Sequence, residues 1–518
     1  MISNLKFYSA FIVFGALWPS LVQSDAESLR SKFSELKIEA VFPDDPKFEV
    51  LAKAYNKRFT YTPAAIILPR NKEDVSNAVQ ISVAEKLPIC ARSGGHSYTA
   101  YAFCGRDGAL VIDLVRLKTM ELEASSGIAN IGTGNRVGEM AVELYDKGKR
   151  ALPHATCPGV GIGGTASFGG FGYSSRMWGL TLDNIIGHEV VLSNGTILET
   201  SEKQNPDLFW ALRGAGSSFG IITSIKFQTH KAPNQVTNFR YEWNLNQEDF
   251  SNALINFQRF SNNEKIPNQI GFYANIGKGK KDNDLSFVIE GAWYDEVSKL
   301  SEVMKPFFDV MPYPPDKTEK TGDWIASLTD LAQRTGSKSL LMSEKEIQED
   351  GKKFYVKSLT TPKSMPMTTT SIQAFSKYLV TQGPQIKTGW FVQFELYGGR
   401  NSAVTSIPMN QTSFAQRDIL WTIQFYTYAT NPEQPFTEEA FESLDQMVKT
   451  IVENNPPDGE YGGYSNYIDS RLPDDQWKKF YYKTNYLKLS EIKNLYDPAN
   501  IFSNPQTIKG DDFRLQGQ

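Results

Sequence analysis

Histidine, cysteine and runs of like charge are all scarce in this chain. Four histidines and three cysteines serve 518 residues. His154 lies three residues before Cys157, but no second pair at ligand spacing stands near them to complete a tetrahedral zinc site. Lysine and arginine number 54 against 58 aspartates and glutamates, for a net charge of −4, and no basic run is longer than a pair or so. That balance excludes an electrostatic footprint for nucleic acid. Apolar runs long enough to span a membrane are missing too. The mostly apolar segment from Phe7 to Val22 is short and broken by Pro19. With Lys6 before it and small or polar residues after it, residues 1–24 read as a secretory signal peptide, cut after Ser24. No GxxxxGK[ST] loop is present, and the glycine runs do not fit the dinucleotide fingerprint with its acidic residue about twenty positions on. There is no internal repeat and no low-complexity segment.

What is present points to a large protein acting on something small and neutral. The length allows two or three domains with a sizeable buried interior. In an oxidising compartment an odd cysteine count leaves one thiol to explain. Cys90 and Cys104 bracket "ARSGGHSYTAYAFCG" and are candidates for a disulfide, which leaves Cys157 over. Asn194-Gly195-Thr196 and Asn410-Gln411-Thr412 are glycosylation sequons compatible with secretion.

From Asp44 to Val111 helical text alternates with short apolar runs, an α/β pattern. Between Cys157 and Gly220 glycine becomes dense, where it either builds tight turns or admits a ligand to the backbone. "EVVLSNGTILET" is a hairpin signal whose Asn194-Gly195 suits a type I′ turn. From about Val236 to Gly459 aromatic residues alternate along runs such as "TGWFVQFELYGG" and "LWTIQFYTYAT". These predict an antiparallel sheet backed by amphipathic helices such as "DEVSKLSEVMKPFFDVM". The tail from Tyr461 to Gln518 is too short to stand alone and is expected to pack back on the first part.

His96 follows Gly94 and Gly95, and a glycine run starts two positions after Cys157. Both side chains therefore sit on backbone that can approach a flat or phosphate-bearing ligand. Read alone, each is equally a core residue, His96 satisfying a hydrogen bond and Cys157 acting as a small buried hydrophobe. "YGGYSNYIDS" gathers three tyrosines, and a phenol serves as general base only if something shares its proton. Glu395 alternates with Gln393 and Phe391 and so shares their face.

Taken together, "RSGGHSY", "GKRALPHATCPGVGIGG", "FGYSSRMWGLTLDNIIG", "DLFWALRGAGSSFGIIT", "YGGYSNYIDS" and "YDPANIFSNPQ" resemble the berberine-bridge-enzyme-like branch of the vanillyl-alcohol-oxidase flavoproteins. Within it they are most similar to the fungal oligosaccharide oxidases. The resemblance runs from about Tyr61 to Gln506 and implies a two-domain α+β fold. An FAD-binding domain would comprise residues 25–235 and 461–518, and an antiparallel-sheet substrate domain residues 236–460. It further implies FAD held by two covalent bonds, from His96 to the 8α-methyl and from Cys157 to C6. Arg92, Ser93, Gly94, Gly95, Ser97, Val160, Gly161, Gly163, Gly164, Gly169, Gly172, Asp183, Ile222 and Asn485 match cofactor-binding positions.

By the same resemblance Tyr467 is the base for the anomeric hydroxyl, and Glu395 is the carboxylate beside it, usually Asp in the gluco-oligosaccharide enzymes. Because a bare negative charge makes a phenol harder to ionise, a proton-sharing hydrogen bond is the preferred reading. Tyr98 and Gln393 match sugar-lining positions, and Trp390, Phe391 and Trp421 are candidates for stacking on pyranose faces. Val160 stands where a small residue leaves O2 a path. Thr165 departs from the His of many relatives and removes a donor near the flavin N1–C2 edge. The implied activity is oxidation of the reducing-end C1 hydroxyl of an oligosaccharide with O2 going to H2O2. The expected chain is a monomer with no nucleic-acid or membrane partner. Two rivals stay open: a same-fold oxidoreductase or dehydrogenase acting on a secondary metabolite or alcohol, and a weakly active flavin-carrying secreted protein.

Overall fold

The computed structural model describes residues 18–343, 346–347 and 351–510, with side chains from Ala26 onward. The leader reading at residues 1–24 lies outside the described residues, save that a helix, Trp18–Glu35, starts within it.

Two small sheets come first. Strands β1 (Glu39–Val41), β2 (Ala65–Leu68), β3 (Ile89–Arg92) and β4 (Leu110–Asp113) form one in the order β1-β2-β4-β3, with β2, β4 and β3 parallel. Continuous apolar text makes β2 and β4 fit this sheet, because both their faces are covered. The crossover from β2 to β3 is the helix Lys72–Ala84. It starts where Asn71 accepts the Asp74 N–H at 2.8 Å and carries Glu73 and Asp74 in its first turn. Strands β5 (Met120–Glu123), β6 (Ile128–Gly132), β8 (Ile185–Val191), β9 (Ile197–Thr200) and β10 (Ile221–Gln228) form an antiparallel sheet ordered β5-β6-β10-β8-β9. A short pair, β7 (Arg150–Ala151) with β11 (His230–Lys231), lies beside it.

The hairpin between β8 and β9 differs from the expected type I′ turn. Its loop spans Leu192 to Thr196, closed by Gly195 N donating to Leu192 O, and Gly195 is left-handed at φ +82° while Asn194 is not. A type I′ turn needs both central residues left-handed, so the longer loop with glycine alone in that region takes its place.

The third sheet has seven antiparallel strands: β12 (Val236–Leu245), β13 (Ile270–Lys278), β14 (Leu285–Trp293), β15 (Asp316–Gly322), β16 (Phe354–Thr361), β17 (Gly389–Glu395) and β18 (Trp421–Tyr428). Their order is β15-β12-β14-β13-β17-β18-β16. Helices Gln247–Ser261, Val297–Phe308, Thr369–Gln382 and Glu438–Val452 cover one face in a single apolar cluster. Each large side chain fully buried there is worth roughly 1.5–3 kcal/mol against exposure. The tail helices Asp474–Tyr482 and Asn485–Tyr496 place Trp477, Tyr482 and Leu489 in one cluster with Leu208, Phe209 and Phe227 of the N-terminal half. The uncovered face of the third sheet, the loop after β3 and the glycine-rich helix Ile162–Phe168 enclose a cavity of about 450 Å³.

Candidate active site

Strand β3 delivers the chain into Ser93-Gly94-Gly95-His96, with Gly95 at φ +76°. The disulfide Cys90–Cys104, with Cα atoms 5.5 Å apart, ties the end of β3 to the far side of this loop. Gly94 crosses Gly161 so closely that a Cβ on Gly94 would stand 2.2 Å from Gly161 N, so both positions admit only glycine. Ser93 Oγ donates to Thr133 O at 2.6 Å and accepts from Gly163 N at 3.2 Å, which joins the two glycine runs side by side.

His96 stacks on Tyr55 with ring centroids 4.2 Å apart. Its Nε2 is buried without a hydrogen-bond partner among the described residues and faces Gly159, whose Cβ would come within 3.1 Å. Burial, and then the nearby charge of Arg136, push the imidazole down to about 3, so it is neutral at working pH. Cys157, the cysteine outside the disulfide, lines the same cavity.

From His96 a ladder of rings crosses one side. Tyr55 stands 6.5 Å from Tyr98, Tyr98 stacks on Tyr467 at 5.9 Å and 8°, and Tyr467 meets Tyr464 edge-on at 4.9 Å. Tyr467 Oη donates to Glu395 Oε1 at 2.9 Å. Glu395 closes β17 and is buried, and its Oε2 has no partner among the described residues. Burial pushes its carboxyl up to about 8 despite the Tyr467 hydrogen bond. Burial, followed by the Glu395 charge, holds the Tyr467 phenol well above its ordinary range. The Tyr467 loop is pinned through buried Asp469, which accepts from Tyr355 Oη and Lys357 Nζ, both at 2.7 Å.

The cavity face of the third sheet carries a row of amides, since Asn275 pairs with Gln393 and Gln393 with Gln424 across β13, β17 and β18. Gln424 Nε2 reaches Tyr98 Oη at 3.5 Å. One step along, Phe391 stacks on Tyr426 at 4.7 Å and 8°.

Of the residues singled out in the sequence, Ser93 to Tyr98, Cys157, Val160, Gly161, Gly163 and Gly164 line the cavity. Gly172, Ile222, Gln393, Glu395 and Tyr467 do so as well. Four do not. Arg92 turns behind β3 to pair with Asp113. Gly169 lies under the Tyr464 ring, where a Cβ would come within 2.5 Å. Asp183 forms a buried two-pronged ion pair with Arg417, 2.7 and 3.0 Å, and caps Leu180 N. Asn485 donates to the carbonyls of Met409, Thr412 and Ser413. Two of the three stacking candidates also belong elsewhere. Trp390 and Trp421 point into the helix-backed core, Trp390 Nε1 donating to Gly383 O at 3.0 Å, because strand alternation sets them opposite Phe391 and Gln393. Thr165 is at the cavity, and its carbonyl accepts from Asn466 Nδ2 at 3.3 Å. Gln424 and Tyr426 were missed, although "TIQFYTY" alternates as the β17 run does. Tyr55 carries no sequence signal.

An imidazole and a thiol on one wall, glycine backbone beneath, and open space where a Cβ of Gly164 would stand make a cradle for a flat, extended cofactor. Known proteins agree with that geometry. Residues 63–201 match the family model for an FAD binding domain, and residues 463–509 the model described as berberine and berberine like. The chain is 33% identical over 490 residues to a chitooligosaccharide oxidase of Gibberella zeae, covering 95% of this chain and 96% of that one. It is also 33% identical to an FAD-linked oxidoreductase of Metarhizium anisopliae, over 96% and 94% of the two chains. Among solved structures, a glucooligosaccharide oxidase from Acremonium strictum, described with a 6-S-cysteinyl, 8α-N1-histidyl FAD, superposes with a TM-score of 0.86. It is 32% identical, over 93% of this chain and 99% of that one. The protein is an FAD-dependent oxidoreductase that belongs to the berberine-bridge-enzyme-like branch of the vanillyl-alcohol-oxidase flavoprotein superfamily.

Proposed function

We propose that this flavoprotein is a secreted oligosaccharide oxidase that takes the reducing-end C1 hydroxyl to a lactone, which water opens to an aldonic acid. The Tyr467–Glu395 hydrogen bond of 2.9 Å carries the reading, because it places a proton relay in the cavity beside the amide row and the Phe391–Tyr426 platform. FAD, when bound, accepts the C1 hydride and passes the electron pair to O2, giving H2O2. His96 and Cys157 would hold it covalently. With His96 Nε2 turned to Gly159, Nδ1 is the ring nitrogen left for that bond.

Tyr467 receives the proton of the anomeric hydroxyl as its own proton moves to Glu395, so that no phenolate stands alone beside a carboxylate. Gln393, Gln424 and Asn275 offer hydrogen bonds to sugar hydroxyls, and Phe391 and Tyr426 offer a flat apolar surface to a pyranose. Val160, small and at the cavity wall, favours reaction with O2 over a dehydrogenase role. The disulfide Cys90–Cys104 and the exposed sequon residues Asn194 and Asn410 support a secretory route, with cleavage after Ser24.

The test is anaerobic mixing of the yellow protein with cellobiose, xylobiose, lactose and chitobiose, followed by a peroxide assay in air. Bleaching of the flavin band by at least one sugar, with H2O2 on admitting air, is the expected result. The Metarhizium relative is named only as an FAD-linked oxidoreductase, with no sugar specified, and the one other reading is oxidation of a non-carbohydrate metabolite. A flavin untouched by every sugar but bleached by an alcohol would decide for it.

A further inference from the structure

Arg136 lies outside every motif discussed above, yet it joins the two loops that carry His96 and Cys157. Its Nη1 donates to Gly94 O at 2.7 Å and to Gly159 O at 2.6 Å. These carbonyls stand two residues before His96 and two residues after Cys157. Arg136 is buried with them, only 7% exposed. The backbone beside it completes the join. Val137 N donates to Val160 O at 2.8 Å, Gly138 N to Pro158 O at 3.0 Å, and Ile162 N to Asn135 O at 3.0 Å. The Cys157 loop is thus zipped to residues 135–138, while the His96 loop is held to that zipper by the Arg136 side chain and by the Gly94–Gly161 crossing.

We propose that Arg136 is a positioning residue for flavin attachment, its guanidinium fixing the spacing between the imidazole of His96 and the thiol of Cys157. The inference rests on the reading above that both side chains bond the cofactor. Each link replaces one C–H bond, of the 8α-methyl by C–N or of ring carbon C6 by C–S. The side chain gives up its N–H or S–H proton, and the two electrons and the second proton leave through the flavin to O2. One H2O2 forms per link, and no other oxidant is needed. The nucleophile must carry a lone pair, and a fixed cation beside His96 opposes imidazolium formation and so keeps that pair free. A guanidinium suits the task because it is always charged and offers several donors in one plane, whereas an ammonium is a point charge.

The test is the attachment state of Arg136→Met and Arg136→Lys, purified in air and compared with the wild type. Intact mass and peptide mapping give the fractions linked at His96 and at Cys157, and gel filtration gives total bound FAD. The expected result for Arg136→Met is FAD still bound, with the doubly linked fraction at least tenfold lower. A merely structural residue would lose bound FAD and links together. If Arg136→Met is insoluble, Arg136→Lys carries the test, since it keeps the charge and loses the two-carbonyl bridge. A doubly linked fraction at least threefold below wild type supports the proposal, and a wild-type fraction overturns it. Flavin freed by acid from the wild type overturns the attachment reading and this inference with it. A doubly linked wild type beside an equally linked Arg136→Met overturns the inference alone.

Discussion

In the proposed reaction Tyr467 and Glu395 set the chemistry at the scale of single residues, because neither ionises easily where it sits. A buried phenol whose proton already points at a carboxyl acts by passing that proton on, and Glu395 can receive it only as the carboxylate. The group's pKa is raised, to about 8, so the competent form grows as pH rises through that value. The rate of anaerobic flavin reduction by sugar should therefore climb between pH 6 and 9 along a single ionisation near 8, and Glu395→Gln should flatten that limb. A limb centred near the ordinary carboxylate range in the wild type would remove Glu395 from the relay. Tyr467→Phe should keep its flavin and lose about 10²–10⁴-fold in that rate, the usual contribution of a positioned acid–base group. A rate within a fewfold of wild type would contradict the assignment. The glycines that flank His96 and Cys157 put both on backbone open to a ligand, but read alone each was equally a core residue, and it was the resemblance that set them apart. Arg136 was not legible in the chain, because its partners are backbone carbonyls, which leave no trace in side-chain identity.

Strand β17 shows what an element adds. Period-two alternation told from the text that Phe391, Gln393 and Glu395 share a face, and it could equally have told that Trp390 does not share it. Which face meets the cavity is set by where the helices pack, and that depends on non-local contacts. The stacking role given to Trp390 and Trp421 failed for this reason: large aromatics fill cores as readily as they line clefts. Trp390→Ala should cost about 3–5 kcal/mol of stability in denaturant unfolding, as large-to-small core changes do, and leave KM within twofold. Phe391→Ala, one residue on, should raise KM severalfold with little change in the unfolding midpoint. The reverse pattern would mean that β17 presents its other face to the sugar. Among the expected cofactor residues, Asp183 and Asn485 failed differently. Their polar groups are spent on Arg417 and on the Met409–Ser413 loop, partners that no local reading could pair with them.

In the whole molecule the third sheet faces a cavity whose other walls come from the N-terminal half and from the tail. The tail is anchored by Lys493, which is fully buried. Its Nζ donates to Asp497 Oδ2 and Ser218 O at 2.6 Å and to Phe502 O at 3.1 Å. Removing one partner of such a pair strands the other charge, so Lys493→Ala should lose about 3–5 kcal/mol in thermal or urea unfolding. A loss below 1 kcal/mol would show that the tail is held by its apolar cluster alone. That the tail returns was legible from its length, too short to stand alone. The residues that hold it were not, because Ser218 and Lys493 stand 275 positions apart. The proposed function requires that a sugar reach a flavin in this cavity and surrender hydride from C1. Stopped-flow mixing of the oxygen-free yellow protein with a reducing disaccharide tests it most directly. Loss of the flavin band in step with lactone formation is the predicted result, and a flavin left oxidised by every reducing sugar tried would contradict it.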